Sequence, residues 1–388
     1  MRKRILSKHL NELATKYPVL TITGPRQSGK TTLCRATFPN YDYVTFEEID
    51  RREQASLDTR GFLEQFKKGV ILDEIQRAPS LVSYIQGVVD RDNIPGRFVL
   101  TGSQQFEVTN HINQSLAGRT AVLRLLPFSI EEAYGVDVPD VFEVIHRGFY
   151  PRIYDANLEP TQALSSYVST YVERDIRTLA AIRDLSTFER FLKLCAANVG
   201  QLLNYSRLAS DCGIDQKTVK YWLSLLEASY IIFQINPHFQ NLRKRLTKMS
   251  KLYFYDVGLA AFFLGIRTAE HVSVHHMRGA LFENLVIADI LKQRLHNAQT
   301  NNLFFFRDHV GKEVDLLLDE QPWVIPIEIK LGNTFNKEFL VGLDSYKKLN
   351  PEGVKKSYLL YGGNQGFDVG DTCVKSWKDF GTGFSFKD

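Results

Sequence analysis

Short apolar runs alternate with longer amphipathic stretches over the first 135 residues. The pattern predicts a helix over 5–16, a strand at Val19–Thr23, and a second helix over 29–37 reached through a glycine-bearing loop. Further strands are expected at 43–46, 70–72, 97–101 and 120–125. Buried strands that alternate with helices in this way imply a parallel sheet covered on both faces. From about residue 131 to 226 the apolar spacing is helical, with few strand signals. Near its end Val219, Trp222, Leu223 and Leu226 fall at i, i+3, i+4 and i+7, the buried stripe of a helix. Past residue 271 a helix over 281–295 precedes strand-like runs at 303–306, 314–318, 323–329 and Ser357–Tyr361, a second α/β unit. No internal repeat and no low-complexity linker interrupts the chain.

Composition narrows the class without naming it. A chain of 388 residues carries two to three domains at roughly 150 residues each. With 44% hydrophobic and 24% charged residues it is an ordinary globular sequence, which excludes wholesale disorder and fibrous repeats. The longest apolar runs fall far short of the roughly 18 residues a membrane span needs. The start, Met1-Arg2-Lys3-Arg4, is basic, but Lys8, His9, Asn11 and Glu12 break up the adjoining stretch, so no signal-peptide core is present. Cys34, Cys195, Cys212 and Cys373 are widely spaced, which suits a reducing cytoplasm and not a disulfide framework. A net charge of +4 means that any basic surface is local.

The first candidate chemistry comes directly after the first strand. Gly24-Pro25-Arg26-Gln27-Ser28-Gly29-Lys30-Thr31, with Thr32 after it, matches G-x-x-x-x-G-K-[ST] between a strand and a helix. The glycines let main-chain N–H groups turn inward around a phosphate, and the helix N-terminus adds its dipole. Lys30 supplies a point charge to β/γ oxygens, and the Thr31 hydroxyl is a ligand for Mg²⁺. The apolar strand Val70-Ile71-Leu72 ends in Asp73-Glu74, types suited to holding metal-bound water and to deprotonating the attacking one. A third strand ends in Thr101-Gly102-Ser103, where Ser103, with Thr101 second, would position that water.

These residues resemble the AAA+ ATPases, and the resemblance implies ATP and Mg²⁺ as cofactors and the strand order five-one-four-three-two. It also implies an arginine acting on the γ-phosphate, often from a neighbouring subunit. Arg119, before the fifth strand, is the candidate, with Arg152 and Arg174 as alternatives. An arginine in trans would make the active form a homo-oligomer.

Across 205–226, Ala209, Gly213 and Val219 have the offsets of a helix-turn-helix. Its second helix leaves Gln216, Lys217, Lys220 and Ser224 outward. A strand over 231–235 comes next, and then Arg243, Lys244, Arg245, Lys248 and Lys251 place five basic residues in nine positions. Strand plus basic loop suggests a winged helix. Two readings stand: binding to DNA phosphates and base edges through Lys217, Lys220, Arg243, Lys244, Arg245 and Lys248, or a protein-packing module with a solvated loop.

In the C-terminal unit, Asp315 lies on one apolar strand while Glu328 and Lys330 share one face of the next, and hairpin pairing would bring them together. Glu283, on the preceding helix over 282–295, whose spacing reads as amphipathic, adds a carboxylate. The set resembles the PD-(D/E)xK nuclease superfamily, which implies a metal held by Glu283, Asp315 and Glu328 beside Lys330. The other reading of the same residues is a buried Glu328–Lys330 ion pair.

The order of parts, including Tyr171-Val172-Glu173-Arg174-Asp175 and Lys251-Leu252-Tyr253-Phe254, resembles prokaryotic AAA+ ATPases with a C-terminal domain of unknown function. The expected architecture is a P-loop AAA+ parallel sheet (1–130), a helical lid or linker (131–185), a winged helix-turn-helix (186–268) and a restriction-endonuclease-like α/β domain (269–388). The expected function is Mg-dependent ATP hydrolysis coupled to DNA binding or processing, in the cytoplasm. Its competitor is a nucleotide-gated protein-interaction switch with a catalytically inert nuclease-like domain.

Overall fold

A computed structural model describes residues 2–103, 115–172, 184–238, 249–384 and 386. The chain forms two compact units: Met1–Pro127 with Ala228–Tyr230 and Gln293–Thr300, and Phe128–Glu227 with Ile231–Lys292 and Asn301–Asp388.

The first unit is built on five parallel strands, β1 (Val19–Thr23), β2 (Asp42–Thr45), β3 (Val70–Asp73), β4 (Phe98–Gly102) and β5 (Thr120–Arg124). Their order is β2-β3-β4-β1-β5, the five-one-four-three-two order of a P-loop AAA+ sheet. The register sets Val19 beside Phe98 and Thr120, and Val70 beside Phe98. Strand alternation sorts the side chains into two cores. Val19, Val70, Leu72, Phe98 and Leu100 pack with Phe62, Leu63, Leu81 and Ile85 on one face. Leu20, Ile22, Ile71, Val99 and Leu123 pack with Leu6, Leu10, Leu33 and Cys34 on the other. Each such side chain contributes about 1.5–3 kcal/mol by leaving water, so near-continuous apolar strands are required by a doubly covered sheet. Apart from Thr21, which meets the Thr120 hydroxyl at 3.0 Å, the buried polar positions of β1, β3 and β4 fall at the strand ends, where Thr23, Asp73 and Thr101 line one edge.

The second unit begins with short helices. Ile130–Tyr134 starts at a reciprocal Ser129–Glu132 capping box, and Asp184 caps Leu185–Ala197. Tyr205–Cys212 and Gln216–Ala228 come after them, separated by Gly213 at φ 72°, the left-handed position that ends a helix and that glycine adopts without strain. Trp222 packs edge-on against Phe188 and Phe191, both at 5.2 Å. Val219, Leu223 and Leu226 are buried with it, as the spacing predicts.

Eight strands then form one sheet: β6 (Ile232–Pro237), β7 (Lys251–Phe254), β8 (Leu303–Arg307), β9 (Glu313–Glu320), β10 (Trp323–Lys330), β11 (Ser357–Tyr361), β12 (Phe367–Val369) and β13 (Thr372–Ser376), in the order β12-β13-β11-β10-β9-β8-β6-β7. The β6–β7 hairpin is continuous with the C-terminal strands, because Asn236 and Pro237 pair in parallel with Phe304 and Phe305. The helix Arg278–His296 differs from the amphipathic expectation. Its side chains are buried on nearly every face, and the polar ones have partners: Asn284 bonds both ways with the Phe254 backbone, and Asp289 accepts the Ile130 N–H at 2.7 Å. Among the described residues no helix is long and apolar enough to cross a membrane.

Candidate functional site

At the end of β1 the chain turns sharply. Gly24 has φ 154° and a Cβ there would collide with the Leu125 carbonyl, so only glycine fits. Gln27 and Gly29 are also left-handed, at φ 60° and 91°. Turns of this kind gather main-chain N–H groups into an anion-receiving concavity. The Ser28 hydroxyl is fully buried and has no hydrogen-bond partner. An orphaned buried hydroxyl costs about 1–3 kcal/mol, and a ligand oxygen would offset it. Lys30 opens the helix Lys30–Thr37 and folds back, donating to Gly24 O at 2.9 Å and Pro25 O at 2.8 Å. Burial pushes its ammonium below the ordinary lysine range, opposed by Glu74 and Asp73.

Asp73 terminates β3 and accepts three hydroxyls. Thr31 Oγ1 (2.9 Å) and Tyr43 OH (2.8 Å) donate to Oδ2, and Thr101 Oγ1 to Oδ1. The Tyr43 phenol is pushed well up by burial and by that hydrogen bond, so it stays a donor. Glu74 comes next at φ 55°, a left-handed conformation that costs a non-glycine residue roughly 1–3 kcal/mol. Its carboxylate accepts from Ser103 Oγ at 3.0 Å and from the Gln76 amide, which also lies 3.3 Å from Ser103 Oγ. β4, between β1 and β3, thereby delivers Thr101 and Ser103 to both acids.

The sequence-derived residues Gly24, Pro25, Arg26, Gln27, Ser28, Gly29, Lys30, Thr31, Asp73, Glu74 and Ser103 thus meet at one edge, with Thr32 exposed in the first helical turn. Arg119 does not join them. It precedes β5 at the opposite edge, about 16 Å of strand away, where its guanidinium bonds the Asp90 carboxylate. It therefore reaches no phosphate held by its own chain. Arg152 is exposed on Pro151–Asp155 in the second unit, and Arg174 lies outside the described residues. Tyr43 and Gln76 carried no sequence signal, because neither belongs to a contiguous motif.

A second polar cluster lies in the other unit. Lys330 Nζ bridges Asp315 Oδ2 (3.1 Å) and Glu328 Oε1 (2.5 Å), and the Ile329 N–H also donates to Asp315 Oδ2 at 2.8 Å. Glu283 Oε1 accepts from Tyr253 OH (2.6 Å) and Lys251 Nζ (3.2 Å), and Lys251 also bonds Glu313. Burial, reinforced by Asp315, raises the Glu328 carboxyl to about 8 against the pull of Lys330. Burial likewise raises Glu283. The four expected residues are together, but each acid already faces an ammonium. Among the described residues no group of three or more His, Cys, Asp or Glu side chains is placed to hold a metal ion. The Lys251-Leu252-Tyr253 segment, a marker without chemistry in the sequence, proves to be part of this cluster.

On the helix Gln216–Ala228, Gln216, Lys217, Lys220 and Ser224 are exposed. Arg243, Lys244, Arg245 and Lys248 lie outside the described residues.

A parallel five-stranded sheet of this order, with a P-loop on β1 and acids ending β3, defines a P-loop domain of the AAA+ class. Residues 16–134 match the family described as AAA domain, and 278–380 match Domain of unknown function (DUF4143). Between them 138–270 match Domain of unknown function (DUF8612). Together the sheet and the first match support an ATP-binding AAA+ ATPase with a C-terminal domain of the DUF4143 type. The chain is 27% identical over 377 residues to an uncharacterized protein of Mycobacterium tuberculosis, covering 96% of this chain and 83% of the relative. An uncharacterized protein of Haemophilus influenzae is 22% identical over 370 residues, covering 85% and 88%. Among solved structures, the Walker-type ATPase of Pyrococcus abyssi superimposes with TM-score 0.40 at 15% identity, covering 66% of this chain and 94% of that one. AMPPCP-bound DnaA from Aquifex aeolicus gives 0.29 at 13% identity, covering 57% and 86%.

Proposed function

We propose that the first unit binds ATP with Mg²⁺ and hydrolyses it, and that turnover controls nucleic-acid binding by the second. The observation that carries this reading is the convergence of Lys30, Thr31, Asp73, Glu74 and Ser103 beside an empty-handed Ser28 hydroxyl. Thr31 and Asp73 would hold the ion, which would supply charge neutralisation for the phosphates. Main-chain N–H groups of 26–29 and the Lys30 ammonium bind the triphosphate, with Lys30 leaving its two carbonyl partners to do so. Glu74 takes the proton of the attacking water at its carboxylate, and Ser103 orients that carboxylate. Arg119 is proposed to act on a neighbouring subunit's nucleotide in a homo-oligomer. ATP turnover that depends on Mg²⁺ and is lost when Lys30 or Glu74 is replaced tests the reading; turnover indifferent to both residues overturns it.

The second unit's helix pair, with the β6–β7 hairpin after it, supports a winged helix whose helix Gln216–Ala228 presents Lys217 and Lys220 to a DNA backbone. Neutralised phosphates release counterions, with a salt slope of about 0.9 per contact on duplex DNA. Replacing Lys217 and Lys220 together by alanine is expected to lower the log K–log salt slope by roughly 2. Fluorescence anisotropy across a salt series reads this, and an unchanged slope removes these lysines from the interface.

A specific observation favours a second reading of the C-terminal cluster. Lys330 bonds Asp315 and Glu328, and Lys251 bonds Glu283 and Glu313, an ion-pair network of the kind a binding module would carry. Plasmid DNA incubated with the protein, ATP and Mg²⁺ or Mn²⁺ is expected to stay intact. Nicking that disappears in Asp315→Asn would restore the nuclease reading.

A further inference from the structure

The basic start of the chain has no part in the function proposed above, yet Arg4 is only 5% exposed. Its Nη1 donates to the Ser28 carbonyl at 2.8 Å and its Nη2 to the Leu126 carbonyl at 2.7 Å. The first acceptor belongs to the phosphate-binding loop, and the second to the segment that leaves β5. Nη1 also lies 3.6 Å from where a Cβ on Gly29 would stand, so the guanidinium is packed against the back of the loop. The adjoining helix, Leu6–Ala14, is pinned beside it by Leu6 and Leu10 in the same core as Leu33 and Cys34 of the helix Lys30–Thr37.

In a trans peptide the C=O and the N–H point in opposite directions. Arg4 holds the Ser28 carbonyl toward itself, so the Gly29 N–H, which shares that peptide, is directed away from Arg4. Gly29 is left-handed at φ 91° and has no side chain to resist a flip of this plane. Something else has to fix it. A planar guanidinium can grip two carbonyls from different segments at once, which a lysine ammonium on a flexible stem does less well.

We propose that Arg4 is a positioning residue for nucleotide binding: it locks the Ser28–Gly29 peptide so that the Gly29 N–H faces the phosphate chain, and it sets a permanent positive charge behind the loop. The inference rests on the ATP reading of the first unit. Arg4 touches no reacting atom, so its loss weakens ground state and transition state alike and leaves kcat near its original value.

The test is equilibrium titration of the full chain with Mg·ATP and Mg·ADP, together with steady-state hydrolysis, for the wild type and for Arg4→Ala, Arg4→Lys, Lys3→Ala and Lys30→Ala. Lys3 is exposed and is the control for lost N-terminal charge. Arg4→Ala is expected to bind both nucleotides about tenfold more weakly, as loss of a charged hydrogen bond to the loop predicts, with KM raised and kcat retained. Arg4→Lys is expected to fall between Arg4→Ala and the wild type, Lys3→Ala to match the wild type, and millimolar guanidinium to recover affinity in Arg4→Ala. Should Arg4→Ala fail to fold, as thermal unfolding would show, Arg4→Lys decides the matter, and wild-type affinity in it overturns the proposal. Arg4→Ala that binds normally while Lys30→Ala does not overturns the role of Arg4 and leaves the ATP reading standing. A wild type that binds neither nucleotide brings down both.

Discussion

Lys30→Ala is expected to lose ATP affinity by about 100-fold or more, because truncating one member of a desolvated charged contact costs roughly 2–5 kcal/mol. The free protein should tolerate the change. Lys30 is buried with its ammonium bonded to carbonyls of its own loop, and burial already disfavours its charge. Removing it leaves the Gly24 and Pro25 carbonyls short of a donor but also removes a costly buried cation, so thermal stability should shift little. Affinity falling without a matching fall in unfolding temperature identifies a ligand-binding role. The depressed ammonium adds a sign: binding needs the protonated lysine, so affinity should decline with rising pH sooner than an ordinary lysine would allow. Calorimetric titration at several pH values reads both effects, and full affinity in Lys30→Ala would falsify the assignment.

Glu74→Gln should separate binding from chemistry. The amide keeps the size of the carboxylate and its left-handed backbone position but cannot take a proton, and general-base loss typically costs about 10²–10⁴ in rate. Nucleotide affinity should stay within a few-fold of the wild type, since Glu74 is held by Ser103 and Gln76 and not by the P-loop. Single-turnover hydrolysis set against equilibrium binding distinguishes the cases. A variant that hydrolyses ATP at the wild-type rate shifts the base to another group. One that no longer binds ATP makes Glu74 a structural residue of the loop.

The P-loop and both acids were legible because their chemistry is contiguous in the chain and the strands around them are unbroken apolar runs. The strand order implied by the resemblance is observed. Asp315, Glu328 and Lys330 were legible for a related reason: a tight hairpin brings two neighbouring strands into register, with Ile327 opposite Leu316. Tyr43 and Arg4 were not, since each reaches the acids or the loop only through tertiary packing, and Gln76, though only two residues past Glu74, belongs to no motif that marks it. Lys251 and Tyr253 come from β7, three strands from β9 in the sheet order, a distance no local pattern encodes. The helix Arg278–His296 reads as amphipathic because Asn284, Asp289 and Lys292 look solvent-facing in sequence. Their buried backbone partners could not be read from spacing. Arg119 stood where a resemblance put it, and in the fold its guanidinium serves Asp90.

The parallel pairing of β6 with β8 bears on how this chain can be cut. Two sequence families meet between residues 270 and 278, an inviting place for a protease site or an expression boundary. Severing there would strip β8 of its neighbour at Asn236 and Pro237 and leave a bare ladder edge, a template for sticking to other copies. The evolutionary seam is not a mechanical one, and the two halves should prove soluble only when co-produced.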